Sequence, residues 1–217
     1  MIRCVIFDLD GTLLNTLEDL CDSTNFALAQ MGYPQRSLEE VRKFVGNGVR
    51  KLIERAVPAD INSTDVEKCL AIFKKHYSEN MYNKTAPYNG IIKMLEVLKN
   101  NKIPTAVVSN KFDAAVKELC KKYFGNLIQI AIGENEAEGV RKKPAPDSVL
   151  KAMRELNVSR DDVIYVGDSE TDVQTARNAN INCIGCCWGF RSRSVLEQEG
   201  ATYIVKTPDE ILRIVGV

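Results

Sequence analysis

Histidine is nearly missing from this chain: His76 is the only one in 217 residues, and Trp188 is the only tryptophan. The lone imidazole stands far in sequence from Cys183-Ile184-Gly185-Cys186-Cys187, and no second C-x-x-C exists, so the spacing of a zinc site is absent. Long apolar runs are missing too. None approaches the roughly 18 residues that a membrane span needs. The first residues, Met1 to Asp8, hold an apolar stretch too short for a secretory leader, which sets the expectation of a cytoplasmic protein. There is no excess of either charge: Lys+Arg and Asp+Glu are both 29. That argues against a general nucleic-acid or anionic-membrane surface. No Walker sequence, G-x-S-x-G, internal repeat or low-complexity segment is present. The cysteines number seven, an odd count scattered along the chain, and are expected to be thiols rather than a disulfide framework.

What remains is an ordinary globular composition, 45% hydrophobic and 27% charged, long enough for a core domain plus an insertion. Cys4 to Phe7 reads as a short buried strand. Residues 16–86 read as helices throughout. Leu17, Leu20, Thr24, Ala27, Leu28 and Met31 fall at three- and four-residue steps, with Gly32 placed to stop them. Ser37 and Glu40 have capping-box spacing, as do Thr64 and Glu67. Val49, Leu52, Ile53 and Ala56 form another stripe, closed by Pro58. After Pro87 the pattern alternates. Strands are expected over residues 105–108, 128–132, 163–166, 182–186 and 203–205, and helices over 90–99, 113–123, 147–156, 170–178 and 208–215. Such alternation implies a parallel sheet with right-handed crossovers. The expected fold is therefore α/β: a doubly wound, Rossmann-like core of residues 1–15 and 87–217, with an all-helical unit, residues 16–86, inserted after the first strand. Sheets of this kind bind ligands at the carboxyl ends of their strands.

Three strand ends carry chemistry. In Phe7-Asp8-Leu9-Asp10-Gly11-Thr12, two-residue spacing puts Asp8 and Asp10 on one side of an extended chain. One carboxylate can attack phosphorus, and the other can protonate the leaving alkoxide and then deprotonate water. In Val166-Gly167-Asp168-Ser169-Glu170-Thr171-Asp172, Asp168 offers a second hard-oxygen ligand, so that Asp8 and Asp168 together suit Mg²⁺. Asp172 fits an acid at a helix N-terminus. In Val108-Ser109-Asn110, the Ser109 hydroxyl and nearby N–H groups suit a phosphoryl oxygen. Lys142 and Lys143 precede Pro144, and spacing does not choose between them as the phosphate-facing ammonium. Gly46-Asn47-Gly48 lies between two insertion helices. It is either a turn or a loop whose glycines let backbone approach a ligand, with Arg50 and Lys51 behind it as cations.

These motifs, in this order, resemble the haloacid dehalogenase superfamily over essentially the whole chain. Within it Val45 to Val49 and Trp188 to Ser192 are most similar to the phosphoglycolate phosphatases. The resemblance implies a phosphoric monoester hydrolase with Mg²⁺ as cofactor. Asp8 would be nucleophile and metal ligand, and Asp10 the acid/base with its carbonyl on the metal. Ser109, Asn110 and Lys143 would hold the phosphoryl group, Asp168 would ligate the metal, and Asp172 would support it from behind. The helical insertion would be the cap, with Gly46, Asn47 and Gly48 in substrate choice. The implied partner is a small phosphorylated metabolite, 2-phosphoglycolate first, with no nucleic acid and no membrane, in a monomer or homodimer. Pyrophosphatases, sugar-phosphate phosphatases and phosphomutases share the same core residues. Asp10 argues against a dehalogenase.

Overall fold

A computed structural model describes residues 2–135 and 139–217. In chain order, β1 (Cys4–Phe7) leads to a two-residue strand, β2 (Leu14–Asn15). Four helices follow: α1 (Leu17–Gln30), α2 (Leu38–Phe44), α3 (Val49–Ala56) and α4 (Ser63–Asn80). After β3 (Ala86–Pro87) the chain alternates: α5 (Ile91–Asn100), β4 (Thr105–Phe112), α6 (Asp113–Phe124), β5 (Ile130–Glu134), α7 (Asp147–Leu156), β6 (Val163–Gly167), α8 (Glu170–Ala179), β7 (Asn182–Cys186), α9 (Arg193–Glu199), β8 (Tyr203–Val205) and α10 (Pro208–Val215). Two compact units result: Met1–Leu14 with Pro87–Val217, and Asn15–Ala86.

In the first unit six strands form one sheet in the order β5-β4-β1-β6-β7-β8, every pair parallel. β1 lies inside the sheet, and its Cys-Val-Ile-Phe sequence is fully buried, as a strand covered on both faces requires. Cys4 and Ile6 join Val108, Tyr165, Val149, Ala152, Val173 and Ala176 in one core cluster. Val5 and Phe7 point to the opposite face. The order of connection reverses at β1, with β4 on one side and β6 on the other. That crevice is where doubly wound sheets take ligands.

The second unit buries Leu28, Ile53, Phe73 and Tyr77, with the last two rings stacked at 5.5 Å. Gly32, at φ +73, follows the end of α1 as expected. Ser37 and Glu40 form the expected capping box on α2. The second expected box does not form: Asn62 caps α4 by accepting from Asp65 N at 2.9 Å, which leaves Thr64 inside the first turn. Asn62 reaches the same orphan donors two residues earlier, so the helix starts sooner than Thr64 allows. Buried Asp19 on α1 accepts from the backbone of Lys84 and Thr85, tying the start of this unit to its end.

The short strands β2 and β3, the helix α9 and the length of β4 depart from the sequence reading, and β3 begins at Ala86, inside the stretch read as helices throughout. α9 was not expected, because only Leu196 of its residues is buried and no apolar stripe marks it. β4 runs on to Phe112 instead of stopping at Val108, with its register to β5 shifting in between. Ser109, Asn110 and Lys111, beyond the expected end at Val108, are buried strand residues. Among the described residues no helix is long and apolar enough to cross a membrane. All seven cysteines are free, and burial pushes the Cys183 and Cys186 thiols up, away from reactivity.

Candidate active site

The carboxyl ends of β1 and β6 carry Asp8 and Asp168, and the neighbouring strand β4 carries Ser109 past its apolar half. The loop before α7 adds Lys143, and the first turn of α8 adds Asp172. All are buried, Asp172 completely. Lys143 Nζ is the cation among them. It lies 2.8 Å from Asp8 Oδ1 and 2.7 Å from Asp172 Oδ1, and donates to the Tyr165 hydroxyl at 3.0 Å. Burial alone lowers the affinity of Lys143 for its proton, but Asp172 and Asp8 more than reverse this, and its pKa ends above the usual lysine value. The Lys142 ammonium is 4.0 Å from Glu134.

Burial is the largest influence on Asp8 and Asp168. Asp8 is desolvated; Lys143 pulls its pKa down and Asp172 pushes it up, and it rises to about 7. Asp168 rises well above the carboxylate range through burial, then through Asp172 and Asp8. Asp168 is held by the Thr12 hydroxyl on Oδ1 (3.0 Å) and the Phe190 N–H on Oδ2 (2.7 Å). Gly11 (φ +85) and Gly189 press on the same group, and a Cβ on either would land on Asp168. The Trp188 indole N–H donates to Thr12 O, which fixes this wall.

Asp172 is committed elsewhere. Its Oδ2 accepts from Asp168 N, Ser169 N and the Ser169 hydroxyl, capping α8, while Oδ1 faces Lys143 and Tyr165. Among the described residues, Asp8, Asp168 and Asp172 offer oxygens within 4.8 Å of one another. This cluster of buried acids suits a hard divalent cation, which would offset their charge. Asp8 and Asp168, at the ends of adjacent strands, are the carboxylates that would hold it, with Asp172 behind them capping α8. That matches the ion's preference for one or two carboxylates plus waters.

Asp10, two residues past Asp8, faces Lys111. The Lys111 ammonium donates to both carboxylate oxygens at 3.0 and 3.1 Å, and the lysine side chain is 1% exposed. Ser109 and Lys111 sit two apart on β4, and the Ser109 hydroxyl accepts from Lys111 N. Asn110, expected at the phosphate, turns its amide to Lys143: Nδ2 donates to Lys143 O and Oδ1 accepts from Lys143 N. Its side chain sets the lysine's backbone. Lys111 and Tyr165 escaped the sequence reading. The available signal for Lys111 was its two-residue step from Ser109, which only a continuing strand makes meaningful.

Gly46, Asn47 and Gly48 belong to the other unit. Gly46 and Gly48 take positive φ, and the Asn47 side chain accepts from Arg55 at 2.8 Å. The cations behind them are paired on the surface, Arg50 with Glu67 at 2.5 and 3.0 Å and Lys51 with Glu54 at 2.6 Å.

A sheet with this switch point, ending in two acids on one strand, an acid on the next and a buried lysine between them, is the scaffold of one hydrolase class. The sequence profile of haloacid dehalogenase-like hydrolases matches residues 5–186, and the chain belongs to that family. A phosphoglycolate phosphatase of Pseudomonas putida is 32% identical, over 94% of this chain and 76% of its own length. One of Mesorhizobium japonicum is 32% identical, over 98% and 97%. A crystal structure from Lactobacillus delbrueckii subsp. bulgaricus, solved as a phosphoglycolate phosphatase candidate, superposes with a TM-score of 0.93 at 34% identity, covering 98% of both chains.

Proposed function

We propose that this hydrolase is a magnesium-dependent phosphatase of small phosphomonoesters, acting through an aspartyl-phosphate on Asp8, with 2-phosphoglycolate the first-choice substrate. The observation that carries the reading is Lys143, buried between Asp8 and Asp172 with Asp10 two residues beyond the nucleophile. Bound Mg²⁺, held by Asp8 and Asp168 with the Asp10 carbonyl, would neutralise the acids and the incoming phosphate. Asp8 attacks phosphorus in line with the leaving oxygen, and Asp10 gives that oxygen its proton. Water then attacks the phosphoenzyme, Asp10 takes its proton, and inorganic phosphate leaves. Lys143 and Ser109 hold the phosphoryl oxygens, and Asn110 holds Lys143.

The specific substrate comes from the curated relatives, each named a phosphoglycolate phosphatase. The core side chains described above read phosphate and metal, so we assign substrate choice to residues 15–86, through Gly46, Asn47 and Gly48. The pairing of Arg50 and Lys51 with Glu67 and Glu54 favours the loop backbone over those two cations as the reader.

A substrate panel tests the reading: phosphate release from 2-phosphoglycolate, hexose phosphates, nucleotides and pyrophosphate, with Mg²⁺ and after exhaustive chelation. The expected result is Mg²⁺-dependent release, fastest in kcat/KM from 2-phosphoglycolate. A tenfold preference for pyrophosphate or a hexose phosphate, about 1.4 kcal/mol at the transition state, would replace the substrate and keep the phosphatase. Isomerisation of a sugar phosphate without phosphate release would replace the reaction.

A further inference from the structure

We propose that Lys111 is a positioning residue for general-acid catalysis by Asp10, a role that rests on the phosphatase reading above. The geometry is specific. The Lys111 ammonium meets both oxygens of Asp10, at 3.0 and 3.1 Å, so it fixes the rotation of that carboxyl group as well as its place. The lysine is buried in the strand that carries Ser109, and its stem is held by the sheet rather than by solvent. Two-point contacts between ionised groups are among the stronger hydrogen-bonded pairs. A lysine in this place is costly to bury unless its charge is matched, and Asp10 matches it.

The consequence lies in the first chemical step. Asp10 enters this step in its protonated form, its carboxyl group still held by Lys111; the Asp8 oxygen bonds to phosphorus as the bond to the leaving oxygen breaks, and the Asp10 proton moves to that oxygen. Negative charge is left on Asp10 as the proton departs, and Lys111 is the cation waiting for it. An alkoxide needs this proton; nitrophenolate leaves without it. Lys111 therefore matters in proportion to the basicity of the leaving group. It acts through Asp10.

The test compares wild type with Lys111→Met on 2-phosphoglycolate, ethyl phosphate and p-nitrophenyl phosphate, reading kcat/KM, which ends at the first irreversible step. The expected result is a loss of about 10²-fold or more on both alkyl esters and less than about 3-fold on the aryl ester, within the range of general-acid effects. Lys111→Arg, which keeps the charge, should recover part of the alkyl activity. An equal loss on all three substrates would make the lysine merely structural and overturn the proposal. A loss confined to 2-phosphoglycolate would also overturn it, by making Lys111 a receptor for the substrate carboxylate. Should Lys111→Met not fold, Lys111→Gln carries the same comparison. Failure of the wild-type protein to release phosphate from any of the three would sink the phosphatase reading itself, an outcome distinct from these.

Discussion

At the residue scale, the carboxylates divide by what surrounds them. Asp8 faces a buried ammonium and the space for a cation, Asp10 faces Lys111, and Asp172 has spent both oxygens on neighbours. Asp8→Asn should therefore abolish the phosphoenzyme, whereas Asp10→Asn should still form it from an aryl phosphate while turnover falls about 10²–10⁴-fold. Acid-quenched reactions with radiolabelled substrate separate the two; label on Asp8→Asn would remove the covalent mechanism. Gly189 gives a subtler case. Its missing Cβ leaves room for Asp168, so Gly189→Ala should weaken Mg²⁺ binding. Activity of that variant should recover as Mg²⁺ is raised, and a loss that Mg²⁺ does not repair would mean the wall serves something else.

At the element scale, helix starts give the sharpest contrast between pattern and structure. Asn62→Ala should destabilise the protein by about 1 kcal/mol in denaturant unfolding, since it removes the acceptor for Asp65 N. Thr64→Ala should stay within about 0.5 kcal/mol, as surface changes do. The reverse order would restore the capping box read from spacing. The same contrast explains what was legible. β1 and β6 could be read because unbroken apolar runs are what a sheet covered on both faces demands. Asp8, Asp10, Ser109 and Asp168 could be read because each directly follows such a run. Lys111 could not, since its strand continues through three polar residues whose burial depends on Asp10 and Lys143, about a hundred and about thirty residues away, as non-local contacts do. The role of Asn110 was hidden for the same reason, and α9 was hidden because one buried leucine makes no period.

At the scale of the whole molecule, the acids of the site set a pH dependence opposite to the usual one. Without a cation, Asp8 holds its proton up to about pH 7, against 3.8 for an ordinary aspartate, and Asp168 is raised as well. Between about pH 4 and 7 the folded chain thus binds more protons at these sites than the unfolded one, so their contribution makes stability fall as pH rises. In chelated protein the melting temperature of Asp8→Asn should gain on wild type across that window, and Mg²⁺ should stabilise wild type more at pH 7 than at pH 5. A gap that is flat with pH would show that Asp8 is ionised throughout. The sheet order has a further consequence, for the chain's birth rather than its chemistry. Val5 must wait for Thr105 and Ile164, about a hundred and about a hundred and sixty residues later, a separation that makes pairing slow. On the ribosome the apolar Cys-Val-Ile-Phe segment emerges before its partners and stays unpartnered while Asn15–Ala86, with its own buried side chains, is still being made and can collapse first. Refolding from denaturant should accordingly recover helical circular dichroism before it recovers catalysis, because the strand that leads to Asp8 is completed only when β6 arrives.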